Sequence, residues 1–114
     1  MKKLLLIAGV TILFACKKEP KELIHSVKFH CYAESNTGKF KYYGISWVTV
    51  PITNHTLDLT VQIKDADMGF IPQVYSVGAD SLFIGADANG KHVELKRRST
   101  QGNSNVSVNL IELK

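Results

Sequence analysis

The chain has 114 residues, 45% of them hydrophobic, with 14 Lys plus Arg against 10 Asp plus Glu and a formal net charge of +4. That length holds one domain and excludes multi-domain machinery and the large barrels and doubly wound sheets of many cofactor enzymes. The apolar content excludes disorder throughout, and the basic balance raises the question of an acidic partner.

The first element is a targeting segment. Met1-Lys2-Lys3 is basic, and Leu4 to Ala15 carries no charge. Twelve residues span about 18 Å as a helix, against a hydrocarbon core of about 30 Å. A basic start, a short apolar run and a small residue at its end form the pattern of a cleaved export signal. Residues 1–15 are therefore expected to be a signal peptide. Without them and their two lysines, twelve basic residues stand against ten acidic ones, a net of +2. Three of the remaining lysines lie in Lys17-Lys18-Glu19-Pro20-Lys21-Glu22, a polar stretch that reads as a tether. The fold itself is near neutral, and no nucleic-acid partner is expected.

Leu13-Phe14-Ala15-Cys16 resembles the lipobox of bacterial lipoproteins. The resemblance implies cleavage between Ala15 and Cys16 and acylation of Cys16 with palmitate-type chains. Phe14 stands where that pattern prefers a smaller residue. The start Cys16-Lys17-Lys18-Glu19 is similar to lipoproteins of the Bacteroidota, which implies an outer-membrane location, periplasmic or surface-exposed. The expected organisation is signal peptide 1–15, lipidated tether 16–23 and folded domain 24–114. Acyl chains contribute about 0.8 kcal/mol per buried methylene, so two or three of them anchor a protein stably.

From Ile24 the pattern alternates. Val27, Phe29, Cys31 and Ala33 share one face, and Lys28, His30 and Tyr32 the other. Ser35-Asn36-Thr37-Gly38 is a turn, and Phe40 and Tyr42 continue beyond it. A third run covers Ile45 to Thr53, with Pro51 placing it at an edge. Thr53-Asn54-His55-Thr56 turns again. Leu57, Leu59, Val61 and Ile63 alternate with polar residues and form the clearest strand. Phe70 to Val77 is expected as a strand despite Pro72. Leu82, Ile84 and Ala86 form the next. Asn89-Gly90 marks a type I′ hairpin leading to Val93 and Leu95. Val106, Val108 and Leu110 form the last. Seven or eight short strands with regular turns predict a small antiparallel β-sandwich. The opening Val-x-Phe strand, the Asn-Gly hairpin and the final Val-x-Val strand also resemble the immunoglobulin-like lipoproteins of the mycobacterial transport-accessory (MmpS) family. These features are generic, and no functional residue is carried across.

Candidate sites are few. Cys31 reads as a buried core residue, with His30 on the opposite strand face. His25, His30, His55 and His92 show no zinc-type spacing, and no metal or cofactor is expected. His30 and His92 lie on polar faces and would meet if their strands paired. Asp65-Ala66-Asp67 lacks the oxygen ladder of a calcium loop. No nucleophile elbow, P-loop or dinucleotide motif occurs, so the chain is not expected to be an enzyme. Trp47 and Tyr43 are candidate ligand contacts, though a Trp in an apolar strand commonly packs in the core. Arg97 and Arg98 are candidates for anionic headgroups or glycans. Asp80-Ser81-Leu82 resembles the motif at which Bacteroidota O-glycosylate exported proteins, which implies Ser81 as a candidate acceptor. The expected function is a membrane-anchored envelope lipoprotein with a binding or structural domain. An accessory subunit or inhibitor of an envelope enzyme or transporter is the alternative.

Overall fold

The structure, a computed structural model, describes residues 23–114. The expected signal helix, the Ala15/Cys16 cleavage site and most of the tether lie outside the described residues.

Eight strands follow one another: β1 (Ile24–Ala33), β2 (Lys39–Tyr43), β3 (Trp47–Pro51), β4 (Thr56–Lys64), β5 (Gln73–Ser76), β6 (Asp80–Ala88), β7 (Lys91–Ser99) and β8 (Ser104–Ser107). They form two four-stranded antiparallel sheets, ordered β4-β1-β6-β7 and β3-β2-β5-β8. The predicted β-sandwich is thus the observed architecture. β5 and β8 pair in space but are separated in sequence by the β6–β7 hairpin of the other sheet.

The period-two pattern of β1 decides its role. Val27, Phe29, Cys31 and Ala33 are buried, while Lys28 and Tyr32 are exposed and His30 is half-buried. β1 pairs on both sides, with β4 and β6, so it is the centre of its sheet. Phe29 meets Phe40 of the facing sheet at 4.9 Å between ring centroids. Ile63, Val74, Leu82, Ile84 and Val106 complete the core between the sheets. Burying each such side chain contributes about 1.5–3 kcal/mol, which is how a domain this small offsets its chain entropy.

The turns follow their residues. Asn89 and Gly90 both have positive φ, 56° and 73°, as a type I′ hairpin requires. Asn54 and His55 are also left-handed, at 52° and 73°. At Gly38 a Cβ would lie 2.2 Å from the Ala33 Cβ, so only glycine lets the β1–β2 loop close this tightly.

Three strand boundaries differ from the sequence expectation. The third run begins only at Trp47, because Ile45 sits at the hairpin bend. β3 is an edge strand, in keeping with Pro51 at its end. The run from Phe70 narrows to Gln73–Ser76, because Pro72 ends the preceding loop. The last strand stops at Ser107. Asn109 then accepts a hydrogen bond from the Ile111 N–H and starts a 3-10 turn, Leu110–Leu113, whose Leu110 and Leu113 are buried.

Candidate functional site

Strand direction sorts the loops into two ends. The β2–β3 bend, the β4–β5 loop, the β6–β7 turn, the C-terminal 3-10 turn and the start of β1 lie at one end. The β1–β2, β3–β4, β5–β6 and β7–β8 loops lie at the other.

The first end carries an exposed aromatic cluster. Tyr43 and Trp47 are cross-strand partners at the β2–β3 bend. Their rings meet edge to face at 5.4 Å. Phe70, from the β4–β5 loop, stacks on Tyr43 at 4.0 Å and meets Trp47 edge-on at 5.8 Å. The Lys41 ammonium lies 5.0 Å from the Trp47 ring centroid, within cation–π range. Trp47 is 45% exposed and Phe70 40%. The expectation that Trp47 packs in the core is therefore corrected, because β3 is an edge strand exposed along most of its length. Phe70 was not singled out from sequence. Its only signal was an aromatic residue at the end of a polar loop.

Arg97 and Arg98 are not part of this cluster. They lie on β7, opposite Leu82 and Ser81, in the other sheet and toward the other end. Arg97 donates to the Asn105 carbonyl at 3.5 Å.

Ser81 sits half-buried in β6. Its neighbour Asp80 is buried, 5% exposed, and serves the fold. Asp80 Oδ1 accepts from the N–H groups of Glu34, Ser35 and Ser81 at 3.0, 3.0 and 2.8 Å. Its Oδ2 accepts from the Ser35 hydroxyl. Ser76 Oγ joins Ser35 Oγ at 3.0 Å and Thr37 Oγ1 at 2.5 Å. Burial is the largest single influence on Asp80 and would raise its pKa. The hydrogen bonds from Ser35, Ser76 and Ser81 together outweigh it and hold the carboxyl below its ordinary value.

A second polar cluster closes the first end. His25 is buried, with Nε2 2.8 Å from Asp65 Oδ1 and Nδ1 accepting from the Asn89 amide at 2.9 Å. Asn89 also donates to the Leu113 carbonyl, and Lys114 pairs with Asp65. Hydrogen bonds from His25 and then Lys114 hold Asp65 below its ordinary value.

The outer face of the β4-β1-β6-β7 sheet carries a ladder of alternating acids and imidazoles. His30 Nδ1 lies 2.6 Å from Asp58 and its Nε2 3.3 Å from Asp87. His92 Nδ1 lies 2.6 Å from Asp87 and its Nε2 2.6 Å from Glu94. His30 and His92 thus meet through Asp87 of the intervening β6, rather than directly. Both nitrogens of His92 thus face carboxylates, which favours its protonated form. Glu94 first, then Asp87, hold His92 above its ordinary value. Among the described residues no group of three or more His, Cys, Asp or Glu is arranged to hold a metal ion. Cys31 is pushed up to about 12 by burial first and the Asp58 charge second, so its thiolate does not form near neutral pH.

The surface grooves are open. One of them, about 410 Å³, runs between β7 and β8 past His92, Glu94 and Ser107. No helix among the described residues is long and apolar enough to cross a membrane. Compared with known proteins, the chain matches no family model, no curated protein and no solved structure.

Proposed function

We propose that the protein is a membrane-anchored envelope lipoprotein whose β-sandwich acts by presenting surfaces, in a binding or structural role rather than in catalysis. One observation carries this reading. The exposed ring cluster of Tyr43, Trp47 and Phe70 is the feature of the domain best able to contact something else. The groups that could do chemistry are engaged internally. Cys31 is buried with a raised pKa, His25 and Asp80 tie loops together, and the nitrogens of His30 and His92 face carboxylates. The anchor itself rests on Leu13-Phe14-Ala15-Cys16.

Metabolic labelling with palmitate in a bacterial host tests the anchor. The full chain should take up label and accumulate as an uncleaved precursor under globomycin. Cys16→Ala should abolish the label and release the protein from the membrane fraction. Label that persists in Cys16→Ala contradicts the reading.

A further inference from the structure

We infer that the end of the sandwich holding Tyr43, Trp47 and Phe70 is a membrane-seating surface, resting in the headgroup region of the bilayer that holds the Cys16 lipid. The inference deepens the proposed function and rests on its lipid anchor.

The first argument is where the exposed apolar residues lie. Leu23, Ile45, Trp47, Phe70, Ile71 and Ile111 are all exposed, Ile45 to 93%. All belong to one end of the sandwich. Phe70 joins the β4–β5 loop to the β2–β3 bend through Tyr43 and Trp47. The Leu23 carbonyl accepts from the Asp65 N–H at 2.8 Å, which fixes the start of the domain to the same loop. A Cβ at Gly69 would touch Ile111 Cδ1 at 3.9 Å, so the C-terminal turn borders it too. Among the described residues at the other end, the exposed large apolar side chains are Val77 and, less so, Tyr32. Isolated exposed apolar side chains are ordinary, but a concentration at one end marks an interaction surface.

The second argument is the reach of the tether. Seven residue steps separate Cys16 from Leu23. Whatever its conformation, that segment spans at most about 25 Å at 3.3–3.6 Å per step. β1 has ten residues, so the sandwich is about 30 Å long in the strand direction. The tether is too short to run back along the domain and present the far end to the lipid. The end where Leu23 emerges, which is the apolar end, is held nearest the bilayer. An acyl anchor raises the local concentration of membrane so far that a weak second contact becomes populated.

The third argument is chemical. Trp and Tyr rings with a neighbouring lysine suit the membrane interface, where one part of the ring is apolar and another is hydrated. Lys41 over Trp47 also places a positive charge at this end, as suits anionic headgroups. Arg97 and Arg98, the sequence's candidates for such groups, lie toward the other end.

The chain has one tryptophan, Trp47, so its emission reports this surface alone. The lipidated full chain, reconstituted in vesicles of phosphatidylethanolamine and phosphatidylglycerol, should show blue-shifted emission. Lipids brominated near the headgroup should quench it. Acrylamide quenching should fall at least about twofold relative to unlipidated Cys16→Ala protein in buffer. Phe70→Ser and Ile45→Ser should weaken the bromolipid quenching, and Val77→Ser at the far end should not. Protein that floats with the vesicles while Trp47 stays open to acrylamide overturns the seating surface and leaves the anchor standing. Shielding that appears only on adding solubilised peptidoglycan fragments, or that rises with protein concentration in detergent, assigns the surface to a glycan or a second copy and overturns the inference. A mature chain whose mass shows no acyl groups overturns both readings, and the mass distinguishes that failure from the others.

Discussion

The two ends of the sandwich solve the same problem with opposite materials. The far end closes with a buried carboxylate: Asp80 gathers three backbone N–H groups and the Ser35 hydroxyl, and its loops are mostly polar. The near end closes with the His25–Asp65–Asn89 cluster, yet leaves Trp47, Phe70 and Ile45 in solvent. Both ends are tied together by side-chain hydrogen bonds, so closure alone does not explain the apolar exposure. Leaving large apolar groups in water has no folding benefit. The asymmetry therefore points to use, and the near end is where the chain leads back to Cys16.

The largest expected effect lies at the far end. Asp80→Ala strands three N–H donors and should lower stability by about 3 kcal/mol in urea unfolding. Acid should act in the same way. The folded pKa of Asp80 is depressed below its ordinary value of 3.8. Its contribution is thus full above that value and is lost as pH falls through the lower folded value. Wild-type stability should drop below about pH 4 more steeply than that of Asp80→Ala. Parallel pH curves would show that the carboxylate does not hold this end together.

The near-end cluster should matter less. Asn89→Gly keeps the left-handed turn and removes only the bonds to His25 and Leu113. It should cost about 1–2 kcal/mol, read from the same unfolding curves. A loss as large as that of Asp80→Ala would erase the contrast between the ends.

Between the two ends lies the ladder, with a smaller and pH-dependent effect. The pKa of His92 is raised by Glu94 and Asp87. Its contribution is full below the unfolded value of 6.5 and is lost as pH rises through the higher folded value. His92→Gln should be less stable than wild type at pH 5.5 and equal to it at pH 9, with the gap shrinking in high salt. An equal gap at both pH values would show that the charge is irrelevant. The smallest effect is expected at the apolar end itself. Ile45→Ser should change stability by less than about 0.5 kcal/mol, because its side chain is 93% exposed, and Phe70→Ser by no more than about 1 kcal/mol, the worth of its ring contacts. A larger loss would make the ring cluster a structural feature rather than a surface for contact.

Much of the fold was legible in the sequence because alternation is local. Val27 to Ala33 and Leu57 to Ile63 announce their inward faces, and Asn89-Gly90 announces its turn. Strand order is not local, and the site depends on it. Alternation says which face His30 and His92 occupy but not that β6 intervenes and supplies Asp87 between them. Trp47 sits among apolar neighbours that suggest a core strand. Only its place at a sheet edge shows that it is exposed. Phe70 is far in sequence from Tyr43 and Trp47, so no spacing rule joins them. Asp80-Ser81-Leu82 reads as a modification motif, and nothing in that triplet shows that its aspartate also ties the β1–β2 loop to the start of β6.

The central claim is that the two ends face opposite ways, one on lipid and one into solution. Depth measurement by spin labelling tests it directly. Cys31 is buried and its thiol is pushed up to about 12, so an introduced surface cysteine takes the label selectively. Ile45→Cys and Asn103→Cys place a label at the near and far ends of the lipidated chain on vesicles. The account predicts that the Ile45 position is relaxed by oxygen dissolved in the bilayer, and the Asn103 position by an aqueous nickel complex. Equal aqueous exposure at both positions, or the reverse pattern, would contradict it.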